Sequence, residues 1–267
     1  FHTLGCKVNS YETQAIKEQF ESLGFDIVDF SEPADVYVIN TCSVTAMAEH
    51  KSRQMIHRAK RLSPQAVVVA AGCYAQRLGE DMLKDTDIDL VVGNNRKSRT
   101  AELVQGILES RMADREDPAN VREADTEDLT HCTSYEPQHI SGAGENIRAY
   151  VKIQDGCNRF CSYCIIPYVR GRSRCRDMSD ILQEVYTLAS NRYKEIVLTG
   201  IDISMFTQMG ELIRRINDVK GIERIRLGSL EAGMITEDLV ASIAACEKAC
   251  PQFHLSLQSG CDSTCGR

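Results

Sequence analysis

Short apolar runs alternate along the chain with longer stretches in which apolar residues recur at helical spacing. In the N-terminal part the apolar runs are β-branched and uninterrupted, which is typical of strands buried on both faces of a sheet. The candidate strands are Phe1–Leu4, Val36–Ile39, Ala66–Ala70 and Ile88–Val92. The candidate helices between them are Tyr11–Leu23, Thr45–Leu62 and Lys97–Ser110. This alternation predicts an N-terminal open α/β domain built on a mainly parallel sheet.

The same alternation resumes in the second half of the chain as β–α units. The candidate strands are Ala149–Ile153, Glu195–Gly200, Arg224–Ser229 and Phe253–Leu257. The candidate helices are Met178–Asn191, Gly210–Val219 and Glu237–Ala249. Repeated units of this length predict a (β/α) barrel with its chemistry at the carboxyl ends of the strands. Since only four units can be counted, we expect a partial barrel.

A run of acidic residues separates the two patterns. Between Asp114 and Asp128 the chain carries seven Asp or Glu residues against two arginines, and Pro118 interrupts any long helix. Such a composition is typical of a solvated connector. The predicted organisation is an N-terminal domain over residues 1–112, an acidic linker over 113–145 and a second domain over 146–267.

Composition and charge indicate the cellular compartment of the protein and the class of chemistry that its cysteines serve. The net charge of −7 argues against a general polyanion binder but not against a local basic patch. No secretory signal and no apolar run long enough to span a bilayer are visible, so we expect a cytoplasmic protein with no membrane partner. Twelve cysteines in this setting indicate metal or redox chemistry rather than a disulfide framework.

Three cysteines share the short stretch from Gly156 to Cys164. Cys157, Cys161 and Cys164, here called the loop triad, have C-x3-C-x2-C spacing. A short glycine-led loop can turn three thiolates towards one point, as in iron–sulfur sites. Three ligands on a four-iron cluster leave one iron open to a small molecule that chelates through an amine and a carboxylate. The alternatives are a zinc site, usually built from paired C-x2-C units, or thiols buried as small hydrophobic groups.

Three further cysteines each follow a predicted strand. Cys6, Cys42 and Cys73, here called the strand-end triad, come just after Phe1–Leu4, Val36–Ile39 and Ala66–Ala70. In an open α/β sheet, ligands collect in the crevice beyond the carboxyl ends of the strands. Thiols placed there could converge although they are distant in sequence. The alternative is three unrelated core cysteines.

These patterns resemble the radical S-adenosylmethionine (SAM) methylthiotransferase family. The loop triad resembles its radical SAM signature, and Thr3–Thr13, Asn40–Thr45 and Gly72–Gln76 resemble its N-terminal domain. The resemblance implies two [4Fe–4S] clusters: one at the loop triad, which binds SAM, and an auxiliary one at the strand-end triad. The family's barrel has more β–α units than the four counted here, so the resemblance also implies that this barrel is truncated at its C-terminal side.

The resemblance also implies contacts to SAM. Tyr163 stands where the family places an aromatic residue against the adenine. Thr199 and Gly200 match a pair near the methionine end of SAM. Ser229 and Glu231 match a Gly-Ser-x-Glu pattern near the ribose and the amino acid.

The activity implied is methylthiolation of an unactivated carbon by a SAM-derived radical, with sulfur delivered from the auxiliary cluster. Gly5–Thr13 and Ile165–Arg174 most resemble the branch that acts on C2 of N6-threonylcarbamoyladenosine at tRNA position 37. That branch implies tRNA as a partner, together with an electron donor such as a flavodoxin or ferredoxin. The alternatives are methylthiolation of isopentenyladenosine in tRNA or of a ribosomal protein aspartate, other radical SAM chemistry, and an inactive iron–sulfur or RNA-binding remnant.

Basic residues are dense around the loop triad. Seven Lys or Arg residues fall between Arg148 and Arg176, where a solvated face would hardly need so many. A run of this kind beside a reactive loop would suit an anionic substrate such as RNA. The predicted RNA contacts are Arg170, Arg172, Arg174 and Arg176.

Overall fold

A computed structural model of the chain describes residues 1–113, 121–144 and 147–265. Its contacts divide the chain into two units, one comprising Phe1–His139 with Cys157–Arg172, the other Ile140–Gly156 with the residues from Ser173 onward. The loop that follows Gly156 therefore groups with the N-terminal residues. The predicted domain limits at 112/113 and 145/146 stay predictions, and residues 114–120 and 145 of the predicted linker lie outside the described residues.

The first unit is built on a five-stranded sheet. Its strands are β1 (His2–Thr3), β2 (Val36–Thr41), β3 (Val67–Gly72), β4 (Leu90–Val92) and β5 (Glu123–Asp125). They lie side by side in that order, and each neighbouring pair is parallel. The longest pairing, β2 with β3, aligns Val36 with Val67 and Thr41 with Gly72. The expected α/β class with parallel sheets is confirmed.

Strand β5 was not among the candidate strands. Its residues belong to the acidic stretch and lack an apolar run, yet Glu123 aligns with Leu90 and Asp125 with Val92. An edge strand has one solvated side, and Arg99 Nη1 lies 2.8 Å from Asp125 Oδ2. Residues 123–125 are therefore part of the sheet rather than of a solvated connector.

Helices cover both faces of this sheet. They are α1 (Lys7–Ser22), α2 (Ala46–Leu62), α3 (Cys73–Leu78) and α4 (Thr100–Ala113), with 3-10 turns at Gly79–Lys84 and Lys97–Arg99, and α5 (Ile166–Val169) in the loop. Because side chains alternate along a strand, β2 sends Ile39 into one core with Ile56 of α2 and Val38 into another with Phe20 of α1. Burial on both faces explains the continuous apolar runs.

The second unit carries shorter sheets. Strands β6 (Ala149–Lys152), β9 (Glu195–Thr199) and β10 (Arg224–Leu227) form a parallel sheet in the order β10-β9-β6, and β11 (Ser229–Glu231) pairs in parallel with β12 (His254–Ser256). Strands β7 (Gln154–Asp155) and β8 (Arg174–Cys175) are antiparallel. The helices are α6 (Met178–Ser190), α7 (Met209–Asn217), α8 (Glu237–Ala244) and α9 (Asp262–Cys265). Across the described ranges, no helix is both long and apolar enough to cross a membrane.

The predicted strand Arg224–Ser229 is divided at Gly228. The Gly228 N–H donates to Leu198 O at 2.9 Å, and a Cβ at this position would lie 2.8 Å from that oxygen. Glycine thus allows the backbone after β10 to approach β9 closely. This approach brings the end of β9 beside the start of β11, where the predicted SAM-binding residues lie.

Candidate functional site

The strand-end triad lies at one edge of the five-stranded sheet. Cys6 is the N-cap of α1 just after β1, Cys42 directly follows β2, and Cys73 is the first residue of α3 after β3. The Cys42 and Cys73 side chains are buried, whereas Cys6 is exposed. Since β1, β2 and β3 are adjacent and parallel, their carboxyl ends bring three positions that are distant in sequence to the same edge.

The thiols of this triad are close enough to influence one another. Burial raises the pKa of the Cys42 thiol, and the neighbouring Cys73 and Cys6 thiols raise it further, while the Val44 backbone N–H and Arg170 act in the opposite direction. Gly5 has φ +100°, and a Cβ there would lie 3.0 Å from Cys42 Sγ. Glycine before Cys6 therefore leaves the space that the second thiol occupies.

Two asparagines hold the backbone at this edge. Asn9 Nδ2 donates to Leu4 O at 2.7 Å and to Thr41 O at 3.0 Å, the carbonyls that precede the Cys6 and Cys42 segments. Asn40 Nδ2 donates in turn to Asn9 O at 3.0 Å. Asn9 and Asn40 are fully buried, so these hydrogen bonds satisfy polar groups that water cannot reach.

The loop triad is held by its own turn. Cys157 N–H donates to Gly171 O at 3.0 Å, and Cys164 N–H donates to Cys161 O at 2.9 Å. All three of these cysteines are half-buried. Between them Phe160 has φ +51°, a left-handed backbone that is uncommon for a non-glycine residue and common near functional turns.

Aromatic and guanidinium groups surround this loop. The Phe160 ring packs edge-to-face with Tyr168 at 5.7 Å between centroids, and the Arg172 guanidinium lies 4.3 Å from the Phe160 centroid. Tyr163, the predicted adenine contact, has 73% of its surface exposed. The loop therefore presents flat rings and a cation to solvent, which are groups that bind nucleobases.

The other predicted SAM-binding residues lie in the second unit at neighbouring strand ends. Thr199 is the buried last residue of β9, and a Cβ on Gly200 would lie 2.8 Å from Gln154 Oε1. Ser229 and Glu231 are half-buried on β11, where Glu231 N–H donates to Ser204 Oγ at 2.9 Å. The structure thus brings these four residues to one region, and their role towards SAM stays a prediction.

Gln154 is a residue that the sequence patterns did not single out. Its buried Oε1 accepts from Ile201 N–H and Asp202 N–H, both at 2.9 Å, and its Nε2 donates to Gly156 O at 2.7 Å. One side chain therefore ties the turn after β9 to the residue before Cys157. No spacing rule marks a single glutamine, and two of its partners, Ile201 and Asp202, lie more than forty positions further along the chain.

The structure differs from the expectation that four arginines contact RNA. Arg170, Arg174 and Arg176 are buried. Arg170 pairs with Glu12, Arg174 lies 3.9 Å from Asp155, and Arg176 pairs with Glu184 and Asp180. A buried and paired guanidinium is not presented to a phosphate. Of the four, Arg172 is the exposed one.

The donor atoms fit iron–sulfur clusters. Thiolates are the ligands that these clusters prefer, and the six cysteines of the two triads are all free of disulfides. Among the described residues, the only three ligating groups within 4.8 Å of one another are His57, Asp85 and Asp87. In a four-iron cluster each thiolate binds a different iron, so the three sulfur atoms need not lie within 4.8 Å of one another. Cys6 and Cys73 also lie at the start of α1 and of α3, where helix N-termini favour negative charge.

Comparison with protein-family models matches both parts of the chain. Residues 1–93 match the uncharacterised protein family UPF0004, and residues 151–265 match the radical SAM superfamily. The strand-end triad lies within the first match and the loop triad within the second.

Curated relatives span almost the whole chain. Threonylcarbamoyladenosine tRNA methylthiotransferase MtaB of Aquifex aeolicus is 39% identical over 97% of this chain, and that of Bacillus subtilis is 38% identical over 100%. A tRNA-2-methylthio-N(6)-dimethylallyladenosine synthase of Clostridium perfringens is 31% identical over 97%. The chain covers 62%, 59% and 58% of these relatives, respectively, so it spans about three fifths of their length.

Solved structures show the same kind of fold. The radical SAM methyltransferase TsrM of Kitasatospora setae, with tryptophan and a SAM analogue bound, matches with a TM-score of 0.60 at 16% identity. The match covers 90% of this chain and 55% of that protein. A second TsrM structure, with cobalamin and a [4Fe–4S] cluster bound, matches equally well. At this identity the likeness concerns the fold alone.

Proposed function

The chain belongs to the radical SAM methylthiotransferase family, and we propose that it methylthiolates C2 of N6-threonylcarbamoyladenosine at position 37 of tRNA. Three relatives named for that substrate are 36–39% identical, whereas those named for dimethylallyladenosine are 30–32% identical over a similar span. This difference supports the threonylcarbamoyladenosine branch.

One observation carries the proposal: the first unit contains two separate sets of three thiols. The strand-end triad comes from three strand ends, and the loop triad from a single turn that groups with the same unit. Each set is one thiolate short of the four that a four-iron cluster needs, so each could bind a non-protein ligand. The loop triad alone would suffice to bind SAM, so the second set is what supports a further step such as sulfur transfer.

The protein's part is to bind and orient the reactants. When bound, the two clusters and SAM would supply a carbon-centred radical and an activated sulfur. Thr199, Gly200, Ser229 and Glu231 would hold SAM along the ends of β9 and β11. The contact of Tyr163 with the adenine stays a prediction from the family resemblance. Gln154 fixes the backbone of the turn after β9, so that the turn needs little rearrangement on binding.

The RNA would be the tRNA anticodon loop, and exposed groups near the loop triad suit it. Phe160 and Tyr168 offer ring faces for base stacking, and Arg172 adds positive charge. The electron would come from a flavodoxin or ferredoxin in the cytoplasm.

Anaerobic reconstitution with iron and sulfide tests the proposal. The chain should take up about eight irons, four for each cluster. With dithionite it should cleave SAM and add a methylthio group to tRNA that carries N6-threonylcarbamoyladenosine, as detected by nucleoside mass spectrometry. Product formed only on isopentenyladenosine tRNA would move the chain to the other branch, and absence of iron uptake would identify an inactive remnant.

A pair of cysteine variants separates the two triads. Cys42→Ala should keep SAM cleavage but lose methylthio product, because the loop triad is intact while sulfur delivery is not. The matched variant Cys161→Ala should lose both. If the protein were a radical SAM enzyme of different chemistry, Cys42→Ala would leave the modification it makes intact.

A further inference from the structure

Arg170 lies at the C-terminal end of the loop that bears the loop triad, yet its side chain is fully buried in the first unit. Its Nη1 donates to Glu12 Oε1 at 2.9 Å and its Nη2 to Glu12 Oε2 at 3.1 Å. This is the two-bond geometry that fixes a guanidinium most firmly. Glu12 also pairs with Lys97, and both of these partners are fully buried.

The same guanidinium reaches the backbone of the strand-end triad through Asn9. Arg170 Nη2 donates to Asn9 Oδ1 at 2.7 Å. With its oxygen turned to Arg170, Asn9 directs its amide nitrogen at Leu4 O and Thr41 O. These carbonyls lie just before Gly5-Cys6 and just before Cys42. A change in the position of Arg170 would therefore alter the hydrogen bonds that hold the backbone next to Cys6 and Cys42, two of the three strand-end thiols.

Asn94 makes the corresponding link to the third thiol. Its Nδ2 donates to Val169 O, the neighbour of Arg170 in the loop, at 2.7 Å, and lies 3.5 Å from Cys73 Sγ. Its backbone N–H donates to Gln76 Oε1 at 2.9 Å, which anchors it to α3. Asn94 is 1% exposed, so its amide, which lies between the loop and the Cys73 sulfur, is shielded from solvent.

We infer that Arg170 and Asn94 are positioning residues that couple the two metal sites. When the loop that carries the loop triad moves, these two residues change the hydrogen bonds around the strand-end triad. The inference rests on the proposed function in that both triads hold clusters. Hydrogen bonds to ligating sulfur and outer-shell contacts tune the potential of an iron–sulfur cluster. Through Val169 and Arg170, a shift of the loop would reach all three strand-end thiols.

The test measures the strand-end cluster by itself. In the full chain with Cys157, Cys161 and Cys164 all changed to Ala, the remaining cluster is titrated electrochemically and followed by electron paramagnetic resonance. Asn94→Ala and Arg170→Lys are made in this background. Loss of the N–H near sulfur, or of the two-bond clamp, should make reduction about tenfold less favourable, close to 59 mV for one electron.

Arg176→Lys is the matched control. Arg176 is as buried as Arg170 and is ion-paired with Glu184 and Asp180, but it belongs to the second unit. Its variant should destabilise the chain without changing the potential of the strand-end cluster. Loss of iron in Asn94→Ala and Arg170→Lys, with iron retained in Arg176→Lys, would support the coupling in a stronger form.

Two outcomes would overturn the inference. One is an unchanged potential in both test variants with full iron content, and the other is an equal shift or equal iron loss in all three variants, which marks general destabilisation. A background protein that takes up no iron at Cys6, Cys42 and Cys73 is a different result: it removes the proposed function itself.

Discussion

The two thiol triads are built in opposite ways. The loop triad occupies eight residues and takes its geometry from one turn, whose half-buried cysteines lie among exposed aromatic rings. The strand-end triad draws on three adjacent strands, and two of its thiols are buried. A local turn can keep its shape when distant packing changes, whereas a site made from strand ends exists only while the sheet edge is intact. The two triads should therefore respond differently to the same kind of damage.

The largest effect should come from Gly72→Ala, which distorts the sheet edge. Gly72 has φ +95° and ψ −161°, a region that is essentially restricted to glycine, and a Cβ there would lie 2.5 Å from Asn40 Oδ1 and 2.6 Å from Thr41 O. The variant should lose about 3 kcal/mol of unfolding free energy, and reconstituted iron should fall from about eight to about four per chain. Thermal unfolding and iron analysis measure the two effects.

Gly106→Ala is the control for that variant. Gly106 lies in α4 with no atom within 4 Å of an added Cβ, so alanine there should stabilise the helix by about 0.5–1 kcal/mol and leave both triads loaded. SAM cleavage should persist in Gly72→Ala. Parallel loss of both clusters in that variant would show that the loop triad depends on the sheet edge as much as the other triad does.

The same contrast explains what the sequence could and could not predict. The spacing of Cys157, Cys161 and Cys164 is visible in eight letters because the site is local. Strands β2, β3 and β4 were predicted because burial on both faces leaves uninterrupted apolar runs. Strand β5 was missed because an edge strand can be charged, so hydrophobicity carries no signal there.

The arginines show where spacing stops being informative. A dense basic run indicates positive charge but not the partner of each side chain. Glu12, the partner of Arg170, is 158 positions away, and only the fold brings the two together. Asn9 and Asn94 were not recognised for the same reason: a lone asparagine looks like a turn or surface residue until its buried partners are known.

A smaller effect on the iron of the strand-end triad is expected from Asn9→Ala, which weakens the sheet edge without a steric clash. The variant leaves Leu4 O and Thr41 O without the Asn9 amide and removes one acceptor from Arg170. Unpaired buried groups of this kind cost about 1–3 kcal/mol each, so we expect a loss of about 2–4 kcal/mol in chemical unfolding. Iron at the strand-end triad should fall in part, and iron at the loop triad should not.

Asn191→Ala is the matched control for Asn9→Ala. Asn191 Nδ2 also donates to a carbonyl, Ser141 O at 2.7 Å, but this hydrogen bond is exposed. Water can replace the lost donor there, so the loss should stay below about 1 kcal/mol with no change in iron content. Equal losses in the two variants would mean that Asn9 has no special part in holding the sheet edge.

The smallest effect is expected at the exposed side chains around the loop triad. Arg172→Gln removes a cation that lies over the Phe160 ring at the surface, a contact worth about 0.5–1 kcal/mol. Neither triad should lose iron, because neither takes its geometry from this side chain. If Arg172 binds a tRNA phosphate, the affinity of the variant for tRNA should fall a few-fold, and the slope of log affinity against log salt concentration should become shallower by about 0.7–0.9.

Arg176→Gln is the control, because it changes a buried and paired guanidinium. It should lower stability more than Arg172→Gln and leave the salt dependence of tRNA binding unchanged. If Arg176→Gln made the salt slope shallower and Arg172→Gln did not, the RNA would bind Arg176 rather than Arg172, which contradicts the assignment of Arg172 as the exposed contact.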